Sequence, residues 1–176
     1  MINLKILITG GAGFIGSHVA DLLIENSFDV SVMDNLSSGK LENITPKARF
    51  YKCDVRDSEI FKIIETEKPQ IVIHNAAQMS VRNSVEDPVN DASINIIGGL
   101  NVLEACRKLK VEKVIFASSG GVVYGEQQYF PADEDHPTKP ISPYGVAKLS
   151  FEKYLFYYNY IFNAEYIVII KKIFFK

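Results

Sequence analysis

Short runs that are apolar throughout alternate along this chain with stretches of helical spacing, and that alternation restricts the fold more than any other feature. "LKILIT" (4–9), "DVSVMD" (29–34), "RFYKCD" (49–54), "QIVIHNAA" (70–77), "KVIFASS" (113–119) and "EYIVII" (165–170) read as strands. Residues 14–26, 58–68, 89–109 and 144–162 between them carry apolar residues at helical spacing. Strands apolar on both faces need cover on both, and strands separated by helices are joined by crossovers. The expectation is therefore an α/β fold: a doubly wound parallel sheet in the order 3-2-1-4-5-6, with ligands at the carboxyl ends of the strands.

Composition narrows what such a sheet serves. With 176 residues, 47% of them hydrophobic, the chain can bury one core, and a single domain over 1–176 is expected. A net charge of -2 offers no basic field, which argues against nucleic acid as a partner. Cys53 and Cys106 have neither disulfide nor metal-ligand spacing and fit a reducing cytoplasm, while His18, His74 and His136 form no metal-ligand cluster. No window approaches the roughly eighteen apolar residues of a membrane span, and the N-terminus lacks a secretory pattern. The expectation is a cytoplasmic protein with no membrane, metal or nucleic-acid partner.

The turn between the first strand and the first helix is "TGGAGFIGSH", with Gly10, Gly13 and Gly16 at the spacing of a dinucleotide fingerprint. Gly10 can make the tight turn, Gly13 admits a pyrophosphate close to the backbone, and Gly16 lets the helix pack on the sheet. The helix N-terminus adds amide donors and a positive dipole end. The second strand ends at Asp34, about twenty residues on, where a carboxylate accepts from the adenosine ribose and repels a 2′-phosphate. Strand, glycines, helix, strand and acid in this order point to a Rossmann-type domain that binds NAD in preference to NADP.

Further along, "SPYGVAK" places Tyr144 and Lys148 on one face near the start of a helix. A free tyrosine has a pKa near 10, so its use as a general base needs nearby positive charge. Lowering it by about three units amounts to roughly 4 kcal/mol, which is asked of Lys148 together with a positive nicotinamide ring.

These segments together resemble the nucleotide-sugar epimerases of the extended short-chain dehydrogenase/reductase superfamily, the UDP-glucose 4-epimerase family above all. The resemblance runs from Ile2 to about Phe162. It is carried by "TGGAGFIGSH", "DNLSSG" (34–39), "CDVRD" (53–57), "VIHNAAQ" (72–78), "INIIGGLNVLEA" around Asn95, "SSGGVVYGE" (118–126) and "SPYGVAK". It implies that Phe14 and Ile15 lie along the pyrophosphate, that Asp34, Asn35, Leu36, Ser37, Ser38 and Gly39 surround the adenosine ribose, and that Asp54 and Val55 meet the adenine. Ala76, Ala77 and Gln78 would line the nicotinamide side with Asn95 and Ser118 nearby, and Ser80, Val81 and Tyr124 would touch a sugar. Tyr144 and Lys148 match the family's catalytic pair. In such enzymes the tyrosine takes a proton from the sugar 4-hydroxyl while hydride passes to NAD, and the flat 4-keto intermediate is reduced again from its other face. The implied function is thus epimerisation at C4 of a nucleotide sugar of the UDP-glucose and UDP-galactose type.

The chain departs from that pattern twice. Many members have a third hydroxyl residue after the serine pair, where this chain has Gly120. Ser119 is the nearest hydroxyl for the catalytic role, its other reading being a strand-end serine that contacts only backbone or cofactor. Family members also continue beyond the sixth strand into a segment that forms most of the sugar-nucleotide pocket, whereas residues 163–176 form an atypical tail ending in Ile173, Phe174 and Phe175. A truncated or frameshifted gene product is the leading explanation. A catalytically silent NAD-binding fragment and a nucleotide-sugar dehydratase or reductase stand as alternatives. The resemblance further implies a homodimer through the helices around 89–109 and 144–162.

Overall fold

A computed structural model describes residues 4–171. Six parallel strands, β1 (Lys5–Thr9), β2 (Asp29–Asp34), β3 (Arg49–Lys52), β4 (Ile71–His74), β5 (Lys113–Ser119) and β6 (Glu165–Lys171), form one sheet in the order β3-β2-β1-β4-β5-β6. Ile6 sits between Val30 and Ile71 and Ile8 between Val32 and Ile73, so the central strands share one register. The order reverses between β1 and β4. The sequence-based strands 49–54 and 70–77 run too long at their carboxyl ends. β1 ends at Thr9, and beyond His74 the main chain turns, with the Asn75 N–H donating to the Thr9 carbonyl at 3.0 Å.

Alternation along β1 and β2 sorts the core into two layers. Ile6, Ile8, Val30 and Val32 pack under α1 (Phe14–Glu25) with Ala20, Val19 and Leu23. Leu7, Met33, Val72, Val114 and Phe116 face the other way, onto α2 (Glu59–Glu67), α5 (Gly99–Lys108) and α7 (Pro143–Phe162). Cover is uneven. On the α1 face, Ile167 and Ile169 of β6 remain 45% and 55% exposed, because α1 sits over the β1–β2 half.

The expected single helix over 89–109 is three pieces: α4 (Pro88–Ala92), a π-helical turn (Ser93–Gly98) and α5. The junction with α5 is closely packed. A Cβ on Gly98 would lie 2.5 Å from the Val55 side chain and one on Gly99 2.5 Å from the Phe151 ring. Two short helices were also missed. α3 (Val81–Glu86) is capped by Ser80, whose Oγ accepts from the Asn83 N–H, and α6 (Gly120–Val123) opens on two glycines, poor helix formers. α7 starts one residue before the expected Tyr144, at Pro143, with Ser142 as its cap. Ile173, Phe174 and Phe175 lie outside the described residues. Among the described residues no helix is long and apolar enough to cross a membrane.

Candidate functional site

The glycine turn is shaped by contact with the next strand over. Gly10 has φ +70°, and a Cβ there would lie 2.5 Å from the Ala76 nitrogen. Its own N–H donates to the Met33 carbonyl, tying the turn to β2. Gly16 is equally constrained, since a Cβ would come within 2.3 Å of the Gly10 carbonyl oxygen. Gly13 is less constrained: the nearest atom to a Cβ is the Gly10 carbonyl oxygen at 3.3 Å, which would have to give by a few tenths of an ångström. Gly13 opens α1 with no side-chain cap, and Phe14 and Ile15 beside it stand exposed. An uncapped helix start behind a glycine leaves backbone amides that could hold a pyrophosphate.

Asp34, buried at the end of β2, accepts from the Ala12 N–H at 3.0 Å through one oxygen and from the Leu36 N–H at 2.8 Å through the other. Each carboxylate oxygen keeps acceptor capacity for a ribose hydroxyl. The following loop, which carries Ser37, Ser38 and Gly39, folds back onto the turn: the Ala12 carbonyl accepts from the Lys40 N–H (3.1 Å) and from Asn43 Nδ2 (2.9 Å). Asn43 was not expected from the sequence. Asn35 reaches across to β3's end and donates to Asp54 at 2.8 Å. The Arg56 guanidinium on both Asp54 oxygens holds that carboxyl well below the usual range. Val55 beside it is buried in the core.

A second group of residues gathers at the ends of β4 and β5. Gln78 and Asn95 hold each other by paired hydrogen bonds, and the Thr9 hydroxyl accepts from the Ala76 N–H while meeting His74 Nδ1 at 2.7 Å. Lys148, fully buried, donates from Nζ to the Ala117 carbonyl at 2.9 Å and lies 4.5 Å over the Phe116 ring. Burial pushes its pKa down to about 8. Its Nζ is 5.7 Å from the Tyr144 ring centre. In the protein alone burial, and then the charge of Asp91, push the Tyr144 pKa up.

Ser118 donates to Glu152, one helical turn beyond Lys148, and burial raises the Glu152 carboxyl pKa. Thus successive residues of β5, Ala117 and Ser118, are gripped by Lys148 and Glu152 of α7. Ser119 stands at the start of α6 without a side-chain cap bond, and among the described hydrogen bonds none joins it to Tyr144. Ser80 caps α3, Val81 is partly exposed, and Tyr124 is buried at 3%, its ring edge-on to His136 at 5.1 Å. Asp91 and Glu152 were missed. The available signals were spacings of four, Asp91 to Asn95 and Lys148 to Glu152.

Glycine turn, buried acid at the end of β2 and a buried tyrosine–lysine pair at the carboxyl edge of a 3-2-1-4-5-6 sheet define a dinucleotide-binding domain of Rossmann type. The NAD dependent epimerase/dehydratase family model matches residues 6–171, and the chain belongs to that family. UDP-glucose 4-epimerase of Mycolicibacterium smegmatis is 40% identical over 167 residues, 92% of this chain and 53% of the relative. Among solved structures, UDP-glucose 4-epimerase of Thermotoga maritima with UDP-glucose superposes with a TM-score of 0.92 at 50% identity, covering 94% of this chain and 54% of that one. The Thermus thermophilus UDP-glucose 4-epimerase in complex with NAD gives 0.91 at 45% identity, with the same coverage. The chain spans about half the length of these relatives.

Proposed function

We propose that this chain binds NAD and forms the cofactor-binding part of a nucleotide-sugar 4-epimerase acting on UDP-glucose and UDP-galactose. The observation that carries the reading is the meeting, along one sheet edge, of the Gly10 turn closed on Ala76 with Lys148 buried beside Tyr144. Gly13, Phe14, Ile15 and Gly16 take the pyrophosphate; Asp34 to Gly39 take the adenosine ribose; Asp54 and Val55 flank the adenine. Ala76, Ala77, Gln78, Asn95 and Ser118 take the nicotinamide side, and Ser80, Val81 and Tyr124 the sugar.

When bound, oxidised NAD supplies a positive ring and a two-electron acceptor. Tyr144 accepts the proton of the sugar 4-hydroxyl and returns it when the carbonyl is reduced again. Lys148 keeps a cation beneath the tyrosine, and the nearby Ser119 hydroxyl bonds the reacting oxygen. Because burial and Asp91 favour the neutral phenol, Tyr144 becomes a base only when further positive charge arrives.

The test uses the purified chain with NAD and UDP-galactose. UDP-glucose forms with the natural chain and not with Tyr144→Phe. NAD binding without turnover overturns catalysis by this chain alone and leaves the cofactor-binding part, and no NAD binding overturns the proposal. We further infer a homodimer through the helical segments around 89–109 and 144–162, supported by the exposed Phe156, Tyr157, Tyr160 and Ile161 of α7, and placement in the cytoplasm, supported by the two free cysteines.

A further inference from the structure

Asp91 of α4 is 1% exposed, yet among the described residues its Oδ2 has no hydrogen-bond partner. Its Oδ1 does all the bonding, accepting from Gln78 Nε2 at 2.8 Å and from Asn95 Nδ2 at 2.9 Å. Asn95 in turn embraces the main chain of Gln78: its Oδ1 accepts the Gln78 N–H at 3.0 Å and its Nδ2 donates to the Gln78 carbonyl at 2.9 Å. The Gln78 side chain is also tied down, with Oε1 accepting from the Ser80 N–H and Nε2 donating to the Ser80 carbonyl. Every polar group of Gln78 is therefore committed, main chain and side chain alike. Asp91 is the acceptor on which Asn95 and Gln78 converge.

A buried carboxylate with one bare oxygen is unfavourable, and an apolar side chain in its place would avoid that cost. What an apolar side chain could not do is satisfy both amides and set which way the Asn95 amide faces. A reversed Asn95 amide would turn a donor toward the Gln78 N–H and an acceptor toward its carbonyl. The carboxylate adds to this pairing one bond to the Asn95 amide and one to the Gln78 side chain, on the side away from the Gln78 main chain.

That turn lies where the strand order reverses, between β1 and β4. A dinucleotide laid across the reversal puts one nucleotide on the Asp34 side and the other over the ends of β4 and β5. We propose that Asp91 is a positioning residue for that second nucleotide: through Asn95 and Gln78 it fixes the Ala76–Gln78 main chain against which the nicotinamide half rests. This rests on the NAD reading above.

Three measurements on the full chain test it. In the ligand-free protein, Asp91→Ala speeds hydrogen exchange of the Gln78 amide at least about tenfold, while amides of β1 are unchanged. NADH binds Asp91→Ala at least about tenfold more weakly than the natural chain, whereas ADP-ribose, which lacks the nicotinamide, binds both alike. Asp91→Asn, which keeps an acceptor oxygen, restores both properties. Equal weakening of NADH and ADP-ribose, or no change in NADH binding and Gln78 exchange, overturns the positioning role. If the natural chain binds neither ligand, the NAD reading fails, and the exchange measurement alone decides whether Asp91 holds the turn. Should Asp91→Ala not fold, Asp91→Val, which fills the site without an acceptor, must show the same split between NADH and ADP-ribose.

Discussion

Three glycines that look equivalent in the sequence carry different burdens. Gly10 combines a left-handed backbone with contact on Ala76, so Gly10→Ala is expected to cost about 2 kcal/mol or more in urea unfolding. Gly13→Ala, which meets only the Gly10 carbonyl oxygen at 3.3 Å and keeps a negative φ, is expected to cost less than Gly10→Ala in urea unfolding and to weaken NADH binding. His74 gives a pH dependence. Burial, reinforced by the charge of Lys148, pushes its pKa down from 6.5 to about 3. Between those values the unfolded chain takes up a proton that the folded chain refuses, so stability falls as pH falls through that window. Urea midpoints across the window measure it, and His74→Gln, which still meets the Thr9 hydroxyl, flattens the profile.

At the scale of the element, α7 joins chemistry to core. One face carries Tyr144, Lys148 and Glu152, and Phe151 between them is fully buried against Phe116 and His74, ring centres 4.6 and 5.3 Å away. Phe151→Ala is expected to cost about 3–5 kcal/mol by thermal or urea unfolding, while Phe156→Ala, on the exposed side, changes stability by less than about 1 kcal/mol. The helix was legible because Ser142 and Pro143 mark its start and its spacing is regular. The segment from Pro88 to Lys108 was legible as helix but not as three pieces. Gly98 and Gly99 at its middle pack on Val55 and Phe151, residues far away in the chain that no local pattern encodes.

For the whole molecule, sheet order and uneven cover set the behaviour. The exposed aromatic side of α7 predicts dimers in sedimentation, with Tyr160→Lys and Ile161→Glu together shifting the chain to monomer while leaving its fold intact. A monomer at all concentrations removes the dimer reading.

The sequence by itself determined the alternation of strands and helices, hence the parallel sheet and its order. It also marked the turn at Gly10, Asp34 at the end of β2, and the spacing of Tyr144 and Lys148. These follow from local rules of period, turn and capping that act within a few residues. Only the tertiary structure decided that Asp91 and Glu152 belong with Lys148, that Asn43 clasps Ala12, and that the protein's own groups raise the Tyr144 pKa. Each of these depends on groups brought together from different strands and on the burial they share. Burial and electrostatic strength arise only once the chain is packed.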